Sequence, residues 1–234
     1  MRRLIVTLDG PAGSGKSTIA RDLAHRLGLE FLDTGAMYRG ITARCLDRGI
    51  DPAEEPHAVV EFARHQPMAF DFAEDPPRLS VGDVDVTDRL RDQDVNASVS
   101  DVAAIGAVRS VMVEAQRQIG AAHPRLVTEG RDQGSVVFPE AEVKFFLEAS
   151  IAVRAKRRHE QLHDAGRIIS LESVRQNLVE RDDKDRARKD GPLVCPPDAQ
   201  RIDTSERTIP QVLDLLEALV RDAAPDAVAA PSTP

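Results

Sequence analysis

Short apolar segments recur along the chain and predict the strands of a sheet. The first of them, LIVTL, is β-branched and apolar throughout, which is typical of a strand that is covered on both faces of a parallel sheet. Helix-forming stretches separate the segments, so we expect an α/β fold with a parallel sheet and helices on both of its faces. The predicted strands are LIVTL (4–8), LEFLD (29–33), RLVTEG (125–130), EVKFFLE (142–148) and AQRIDT (199–204).

Longer segments with helical periodicity lie between the predicted strands. In residues 16–28, one helical face carries Ile19, Leu23 and Leu27, and Gly28 stands where that helix should end. This strand, loop and helix together make the first unit of an α/β protein. Further predicted helices span residues 36–49, 93–120 and 170–191, and the last of these is highly charged.

Residues 67–90 depart from this arrangement. MAFDF and RLSVGDVDV alternate apolar and polar positions, and the turn-forming segment AEDPP lies between them. Alternation of this kind predicts an antiparallel hairpin, which would be inserted into an otherwise parallel protein.

Composition and charge narrow the class of protein. The chain has 234 residues and a formal net charge of -8, with 39 acidic and 31 basic residues, whereas a general nucleic-acid binder is usually basic. Two distant cysteines, Cys45 and Cys195, give neither a disulfide framework nor a metal-binding spacing and indicate a reducing compartment. No apolar segment is long enough to form the core of a signal peptide or to span a membrane. We therefore expect a soluble, cytoplasmic protein that binds neither nucleic acid nor membrane.

A phosphate-binding loop follows the first strand. The segment Gly10–Ser17 matches the pattern G-x-x-x-x-G-K-S/T, and it stands between a buried strand and a helix, the context that supports the motif. Its backbone N–H groups and the helix N-terminus would hold the phosphates of ATP, Lys16 would reach the β- and γ-phosphates, and the Ser17 hydroxyl would face Mg²⁺. The predicted ATP-binding residues are Gly10, Pro11, Ala12, Gly13, Ser14, Gly15, Lys16, Ser17 and Thr18.

Arginines at predicted strand ends and loops indicate a second anionic ligand. A single arginine is most often part of a solvated surface, but a whole series is better explained by an anionic acceptor substrate. A switch or motor NTPase would need a segment that senses the γ-phosphate, and the sequence offers no obvious one, which favours a kinase. The arginines are Arg39, Arg109, Arg131, Arg181, Arg186 and Arg188.

Three further stretches resemble the bacterial cytidylate kinases. They are FLDTGAMYRG (31–40), TEGRDQGSVVFP (128–139) and ERDDKDRARKDGPLV (180–194), and GRDQGSVVFP is the most specific of them. With the phosphate loop they extend the resemblance over about residues 3–220. It implies the nucleoside monophosphate kinase fold: a P-loop NTPase with a five-stranded parallel core, a small antiparallel insert in the monophosphate-binding region and a mobile helical lid.

The resemblance also implies an activity and its residues: phosphorylation of CMP and dCMP by ATP with Mg²⁺. Thr34, Tyr38 and Arg39 would lie beside the acceptor, and Ser100 and Arg109 would face the cytosine. Arg131 would approach phosphate and Asp132 the base, while Arg181, Asp185 and Arg188 would reach the ribose and the phosphates. The residues implied in catalysis are Lys16, Arg131, Asp132, Arg181 and Arg188.

The charged segment that resembles the family's lid has the composition of a mobile element. Residues 180–190 hold five basic and five acidic residues and no large apolar one. A segment with so little to bury is expected to move until ligands bring counter-charge. In a continuous helix Arg181, Asp185 and Arg188 would share one face, although a solvated, salt-bridged helix would show the same spacing.

We expect one domain over residues 1–222, with the monophosphate-binding insert at about 34–105, the lid at about 155–192 and a disordered tail at 223–234. We also expect a monomer. The family often carries Asp where this chain has Glu129. Glu129 is therefore one of several candidates for the carboxylate that orders the Mg²⁺ waters. Asp9 and Asp33, near strand ends, are the other acidic candidates.

Other interpretations stay open. HEQLH (159–163) matches the zinc-protease pattern H-E-x-x-H, but Ile169 stands where the extended motif needs His, so we interpret it as a solvated helix. Adenylate, shikimate and dephospho-coenzyme A kinases share the phosphate loop but are not expected to combine GRDQGSVVFP with TGAMYR. A nucleotide-binding interaction module would bind ATP without turning over CMP.

Overall fold

The computed structural model describes residues 2–164 and 166–228. The chain divides into two compact units, one formed by residues 1–29 with 124–234 and the other by residues 30–123. Within the described ranges, no helix is both long enough and apolar enough to span a lipid bilayer.

A five-stranded sheet contains all of the strands predicted from the apolar segments. The strands are β1 (Leu4–Asp9), β2 (Glu30–Asp33), β6 (Arg125–Gly130), β7 (Val143–Glu148) and β8 (Gln200–Asp203), in the spatial order β2-β6-β1-β7-β8. β1 pairs in parallel with β6 and with β7, and β7 pairs in parallel with β8. Every residue of β1 is buried, which explains its unbroken apolar character and confirms the predicted parallel sheet.

Helix α1 (Lys16–Leu27) follows β1 after the phosphate loop, as the sequence predicts. Its buried face includes Ile19, Leu23 and Leu27, and Gly28 ends it in the left-handed conformation. Helix α8 (Ile209–Ala223), which we did not predict, packs against α1. It begins with a capping box, in which Thr208 and Gln211 satisfy each other's backbone N–H groups.

Two further helices, α6 (Ile151–Asp164) and α7 (Leu171–Ala187), pack against each other. α7 buries Val174 and Leu178 in a small apolar cluster with Ala12 and Ala155. At Leu171–Ala187, α7 is shorter than the helix predicted over residues 170–191. It ends before Arg188, whose backbone is extended (φ -59°, ψ 136°), so Arg188 does not share a helical face with Arg181 and Asp185.

Residues 30–123 form a unit of four helices and a small antiparallel sheet. The helices are α2 (Thr34–Asp47), α3 (Pro56–Arg64), α4 (Gln93–Ala104) and α5 (Gly106–Ala122). Strands β3 (Met68–Asp71), β4 (Arg78–Val81) and β5 (Val84–Asp85) form the antiparallel insert, which has one strand more than the predicted hairpin.

The single helix predicted over residues 93–120 is in fact two helices. The chain turns at Ile105, where the backbone is extended (φ -76°, ψ 108°), and α5 starts at the next residue, Gly106. Helix α3 was not predicted.

The expected domain boundaries stay predictions. Of the tail expected at 223–234, residues 229–234 lie outside the described residues. Within 223–228, Ala223 is the last residue of α8, and the side chains of Ala227 and Val228 are buried.

Candidate active site

The phosphate loop joins the buried end of β1 to the N-terminus of α1. Gly10 has φ +148°, and a Cβ built there would lie 2.1 Å from the carbonyl oxygen of Leu147 on β7, so no side chain fits. Gly15 caps α1 in the left-handed conformation (φ 89°). The loop therefore turns tightly and leaves the first N–H groups of α1 facing outward, where a phosphate can accept from them.

Lys16 is buried within this loop. Its Nζ donates hydrogen bonds to the carbonyl oxygen of Pro11 at 2.8 Å and to Ser14 Oγ at 3.4 Å. The pKa of Lys16 is lowered to about 7, first by burial and then by the positive charge of Arg131, while Glu129 and Asp9 oppose this shift. The loop thus holds an ammonium group that lacks solvent and stands to gain from an anion.

Ser17 contacts the acidic residue that precedes the GRD segment. The Ser17 hydroxyl donates to Glu129 Oε1 at 2.7 Å, and Glu129 is buried near the end of β6. The parallel register sets Glu129 beside Leu8, next to the end of β1, which brings its carboxylate to the phosphate loop. This pair joins a hydroxyl and a carboxylate oxygen, the kinds of ligand that Mg²⁺ takes.

The other two acidic candidates have structural partners. Asp33 caps α2, since its Oδ1 accepts from the Ala36 N–H at 2.9 Å. Asp9, which is 1% exposed, accepts the backbone N–H groups of Gln133 at 2.8 Å and of Gly134 at 2.7 Å. Burial raises the pKa of Asp9 to about 7, and these two hydrogen bonds oppose the rise. Asp9 therefore fixes the segment that directly follows Asp132.

One buried carboxylate connects two of the predicted phosphate-binding arginines. Asp185 Oδ2 accepts from Arg131 Nε at 2.7 Å, and Asp185 Oδ1 lies 2.5 Å from a guanidinium nitrogen of Arg188. Burial alone would raise the pKa of Asp185, but the charges of Arg131 and Arg188 and the hydrogen bond from Arg131 hold it below its ordinary value. Two guanidinium groups around one carboxylate leave a net positive charge.

Asp132 and Arg181 complete the predicted catalytic set in this unit. Asp132 is 5% exposed, and its backbone carbonyl accepts from the N–H groups of Val136 and Val137 in the short helical turn that follows. Arg181 lies half-buried on α7 and is close enough to Lys16 for its charge to lower the pKa of Lys16. Arg186, in contrast, is exposed and pairs with the exposed Asp183 at 3.7 Å, as on a solvated surface.

A second buried ion pair, which the sequence did not reveal, reaches the phosphate loop from the two packed helices. Arg154 on α6 and Asp182 on α7 lie 2.6 Å apart, and both form hydrogen bonds with the backbone of Ala12. Ala12 and Asp182 are 170 positions apart in the chain, so only the folded structure reveals this contact.

The residues expected beside the acceptor lie in the unit formed by residues 30–123. Thr34 is the buried first residue of α2, and Arg39 Nη1 lies 4.0 Å from Asp33 Oδ1. A Cβ at Gly35 would stand 2.8 Å from Arg39 Nη1, so glycine leaves room for the guanidinium to fold back over the helix start.

Tyr38 and Arg109 are brought together in the same unit. The Arg109 guanidinium carbon lies 5.8 Å from the centre of the Tyr38 ring, and Arg109 is 4% exposed. Ser100 is half-buried on α4, which packs against α2 and α5. The structure thus places Tyr38 and Arg109 in contact and Ser100 on a neighbouring helix.

The HEQLH segment lies on α6, as the helical spacing requires, but it does not form a metal centre. The His163 side chain is 79% exposed and lies 3.9 Å from Asp164. Within residues 2–164 and 166–228, no group of three or more His, Cys, Asp or Glu side chains is arranged to hold a metal ion.

Comparison with known proteins gives the family. The sequence model of the family described as cytidylate kinase matches residues 6–222. The chain is 43% identical over 218 residues to a cytidylate kinase of Mycolicibacterium paratuberculosis, covering 93% of this chain and 95% of that protein. It is 44% identical over 223 residues to a cytidylate kinase of Corynebacterium glutamicum, covering 94% of this chain and 96% of the relative.

A solved structure shares the fold. It belongs to a protein of Eubacterium ventriosum described as uncharacterized, with a TM-score of 0.53, 9% identity and coverage of 93% of this chain and 98% of the other. The sequence matches reach almost the whole length of both partners at an identity well above 30%. The chain therefore belongs to the cytidylate kinase family.

Proposed function

We propose that the protein transfers the γ-phosphoryl group of ATP to CMP and dCMP and so forms CDP and dCDP. Membership of the cytidylate kinase family supports this activity. The structural observation that carries it is one cluster: Lys16 and the Ser17–Glu129 pair lie in the same unit as Arg131 and Arg188, which Asp185 holds together.

The phosphate loop binds the donor in this mechanism. Phosphoryl transfer depends on positioning and charge neutralisation rather than on covalent help from the protein. The N–H groups at the start of α1 hold the β- and γ-phosphates, and Lys16 turns its ammonium group from Pro11 and Ser14 toward them. Burial lowers the pKa of Lys16. A bound phosphate raises this pKa again, because its negative charge favours the charged form of the lysine.

Mg²⁺ fits the Ser17–Glu129 pair. Mg²⁺ is usually held by one or two carboxylates together with substrate phosphates and water, and this pair supplies one carboxylate and one hydroxyl at the loop. Ser17 and Glu129 would hold the ion, which would supply positive charge to neutralise the phosphates during transfer. Glu129 accepts from Ser17 in the structure, so the hydrogen bond fixes the Ser17 hydroxyl beside the carboxylate.

The acceptor phosphate binds to the arginines in this proposal. The second pKa of a phosphate monoester is about 6, so the CMP phosphate is largely a dianion at neutral pH and can attack without a strong general base. Arg131, Arg181 and Arg188 stabilise the charge on the transferring group, and Asp185 keeps two of these guanidinium groups in place. In this proposal Thr34, Tyr38 and Arg39 lie beside the acceptor. Ser100 and Arg109 face its cytosine.

Asp132 gives the choice of cytosine over uracil. Cytosine presents an amino donor at N4 where uracil presents a carbonyl acceptor at O4, and a carboxylate can only accept. Asp132 is buried, and its backbone is fixed by the turn that follows it. Further parts of the proposal are a lid at about 155–192 that closes over the nucleotides, a monomeric state, a cytoplasmic location and no nucleic-acid or membrane partner.

The experiment that tests the proposal measures ADP release with a panel of acceptors. ATP and Mg²⁺ are held constant, and CMP, dCMP, UMP, AMP, shikimate and dephospho-coenzyme A are compared. The highest kcat/KM is expected with CMP or dCMP. A preference for AMP, shikimate or dephospho-coenzyme A would indicate one of the other kinases, and ATP binding without turnover of any acceptor would indicate an interaction module.

A further inference from the structure

We propose that Asp182 and Arg154 are positioning residues that clamp the backbone of Ala12 and so hold the phosphate loop in register with α7. This inference rests on the proposed function in one respect, namely that the loop binds ATP. Neither residue is part of the site described from the motifs, and neither needs to touch a substrate.

The two side chains form hydrogen bonds with both backbone polar groups of one loop residue, Ala12. Asp182 Oδ1 accepts from the Ala12 N–H at 3.2 Å, and Arg154 Nη1 donates to the Ala12 carbonyl oxygen at 3.0 Å. The two side chains are themselves joined, since Arg154 Nη1 donates to Asp182 Oδ2 at 2.6 Å. Arg154 Nε also donates to the carbonyl oxygen of Ala149, which ties the guanidinium to the start of α6 at 2.9 Å.

The ion pair is almost completely buried. The side chains of Arg154 and Asp182 are 6% and 3% exposed, and Ala12 is 5% exposed. Ala12 packs with Val174 and Leu178 of α7 in an apolar cluster beside the pair. Removing two charges from water is costly, and well-packed apolar residues often stabilise a protein as well or better. Apolar residues could not, however, form hydrogen bonds with Ala12, so the specific gain from this pair is a fixed loop geometry.

The position of Asp182 on α7 links the loop to the acceptor side of the reaction. Asp182 directly follows Arg181 and stands three residues before Asp185, which holds Arg131 and Arg188. A shift of α7 along or around its axis therefore moves these charges and pulls on Ala12 at the same time. Because misplacement of reacting groups by about 1 Å can cost on the order of a hundredfold in rate, such a mechanical link matters for transfer.

The chain offers a matched control in the next residue. Asp183 has the same charge and lies on the same helix, but its side chain is 71% exposed and its partner Arg186 is also exposed. Asp183→Asn therefore changes the net charge as Asp182→Asn does, without touching the phosphate loop.

Steady-state kinetics with ATP varied and then with CMP varied test the clamp. For Asp182→Asn, which keeps the volume but loses the charge toward Arg154, we expect kcat/KM for ATP to fall about tenfold or more. The KM for CMP should stay within about twofold. Asp183→Asn should match the wild type. An equal rise in the KM for CMP and in the KM for ATP, or unchanged kinetics in Asp182→Asn, would overturn the proposal.

A double variant separates positioning from stability. Arg154→Met combined with Asp182→Leu replaces the pair by apolar side chains of similar size and should unfold at a temperature near that of the wild type. Positioning predicts that this variant keeps the loss in kcat/KM for ATP, whereas a purely structural role predicts recovery together with the Tm. Wild-type kinetics with ATP in the double variant would therefore overturn the proposal.

Hydrogen exchange gives a readout that depends on neither turnover nor the double variant. In Asp182→Asn, the amides of the peptide covering residues 8–15 should exchange faster than in the wild type, while those of β7 should not change. Unaltered exchange in that peptide would overturn the proposal. If the wild type phosphorylates no acceptor in the panel, the proposed function fails, and the exchange experiment still decides whether the clamp exists.

Discussion

At the scale of single residues, burial shifts two ionisable side chains of the candidate site, Lys16 and Asp9, toward their neutral forms. Burial lowers the pKa of Lys16 to about 7 and raises that of Asp9 to about 7. Asp9 is satisfied by two backbone N–H groups, whereas Lys16 holds a loop carbonyl and a hydroxyl that a phosphate can replace. The two residues therefore have different roles. Asp9 fixes the segment at Gln133 and Gly134, and Lys16 is placed to bind an anion.

Lys16→Ala should abolish transfer and leave the fold intact. The variant loses a charge directed at the transferring phosphate, which costs several kcal/mol of transition-state stabilisation, about 3 kcal/mol or more. Turnover measured by ADP release should fall at least a hundredfold, while circular dichroism stays unchanged. A variant that keeps more than about a tenth of wild-type turnover would contradict the role given to Lys16.

Glu129→Gln should weaken the use of Mg²⁺ more than the binding of nucleotide. The carboxamide can still accept from Ser17, but it lacks the negative charge that Mg²⁺ and its waters attract. The Mg²⁺ concentration that gives half-maximal activity should rise about tenfold, with less effect on the affinity for metal-free ADP. Glu129→Asp is the matched control for charge. An unchanged Mg²⁺ dependence in the Gln variant would exclude this role for Glu129.

Asp132→Ala should destroy the choice between CMP and UMP. A good contact to a base edge gives roughly 1–3 kcal/mol of discrimination, so the ratio of kcat/KM for CMP to that for UMP should fall about tenfold or more. If Asp132 serves only to hold its neighbours in place, the variant will lose activity on both nucleotides equally and the ratio will hold.

At the scale of elements, the sequence predicts the sheet better than the helices. The buried strand β1 appears directly as an apolar run, and the bounds of β6 agree with the prediction. The turn at Ile105 depends on how α4 and α5 pack, which no local pattern contains, so the predicted helix was continuous. Helix α8 was missed although its capping box is visible in the sequence.

The candidate site follows the same division between local and distant contacts. The phosphate loop is a local pattern and could be predicted in full. The contacts of Asp9 with Gln133 and of Asp182 with Ala12 join residues 124 and 170 positions apart, and only the folded chain reveals them. The helical-face argument for Arg188 was wrong because α7 ends one residue earlier, yet Arg188 still contacts Asp185.

The network that joins α7 to the GRD segment should make stability depend on pH. Arg131, Arg188 and Arg181 face Asp185 and hold its pKa below the ordinary value. A depressed pKa stabilises the fold above the unfolded value of about 3.9, and this contribution is lost as the pH falls through the folded value. Urea unfolding should therefore show wild type and Asp185→Asn differing by about 3 kcal/mol at pH 7 and converging below about pH 4.

The exposed neighbour supplies the control for this pH dependence. Asp183→Asn removes a surface pair with Arg186, which contributes at most about 1 kcal/mol. Its difference from the wild type should stay small at every pH. A difference for Asp185→Asn that does not shrink in acid would show that the Asp185 carboxylate is not ionised against the arginines.

At the scale of the whole molecule, an acidic chain places three largely buried cationic side chains in the unit that carries the phosphate loop. The net charge is -8, yet Lys16, Arg131 and Arg188 lie in one unit, buried or nearly so. Surface arginines such as Arg186 are paired with neighbouring acids instead. Anionic nucleotides would thus be attracted by a local cluster rather than by the overall charge, as expected for an enzyme acting on small molecules.

The most direct test of the central proposal is to follow the phosphoryl group itself. The protein is incubated with Mg²⁺, CMP and ATP labelled at the γ-phosphate, and the nucleotides are separated afterwards. The proposal predicts that the label appears in CDP in equal amount to the ADP formed, and that Lys16→Ala gives none. Label found only in inorganic phosphate, or retained in ATP while CMP is untouched, would contradict it.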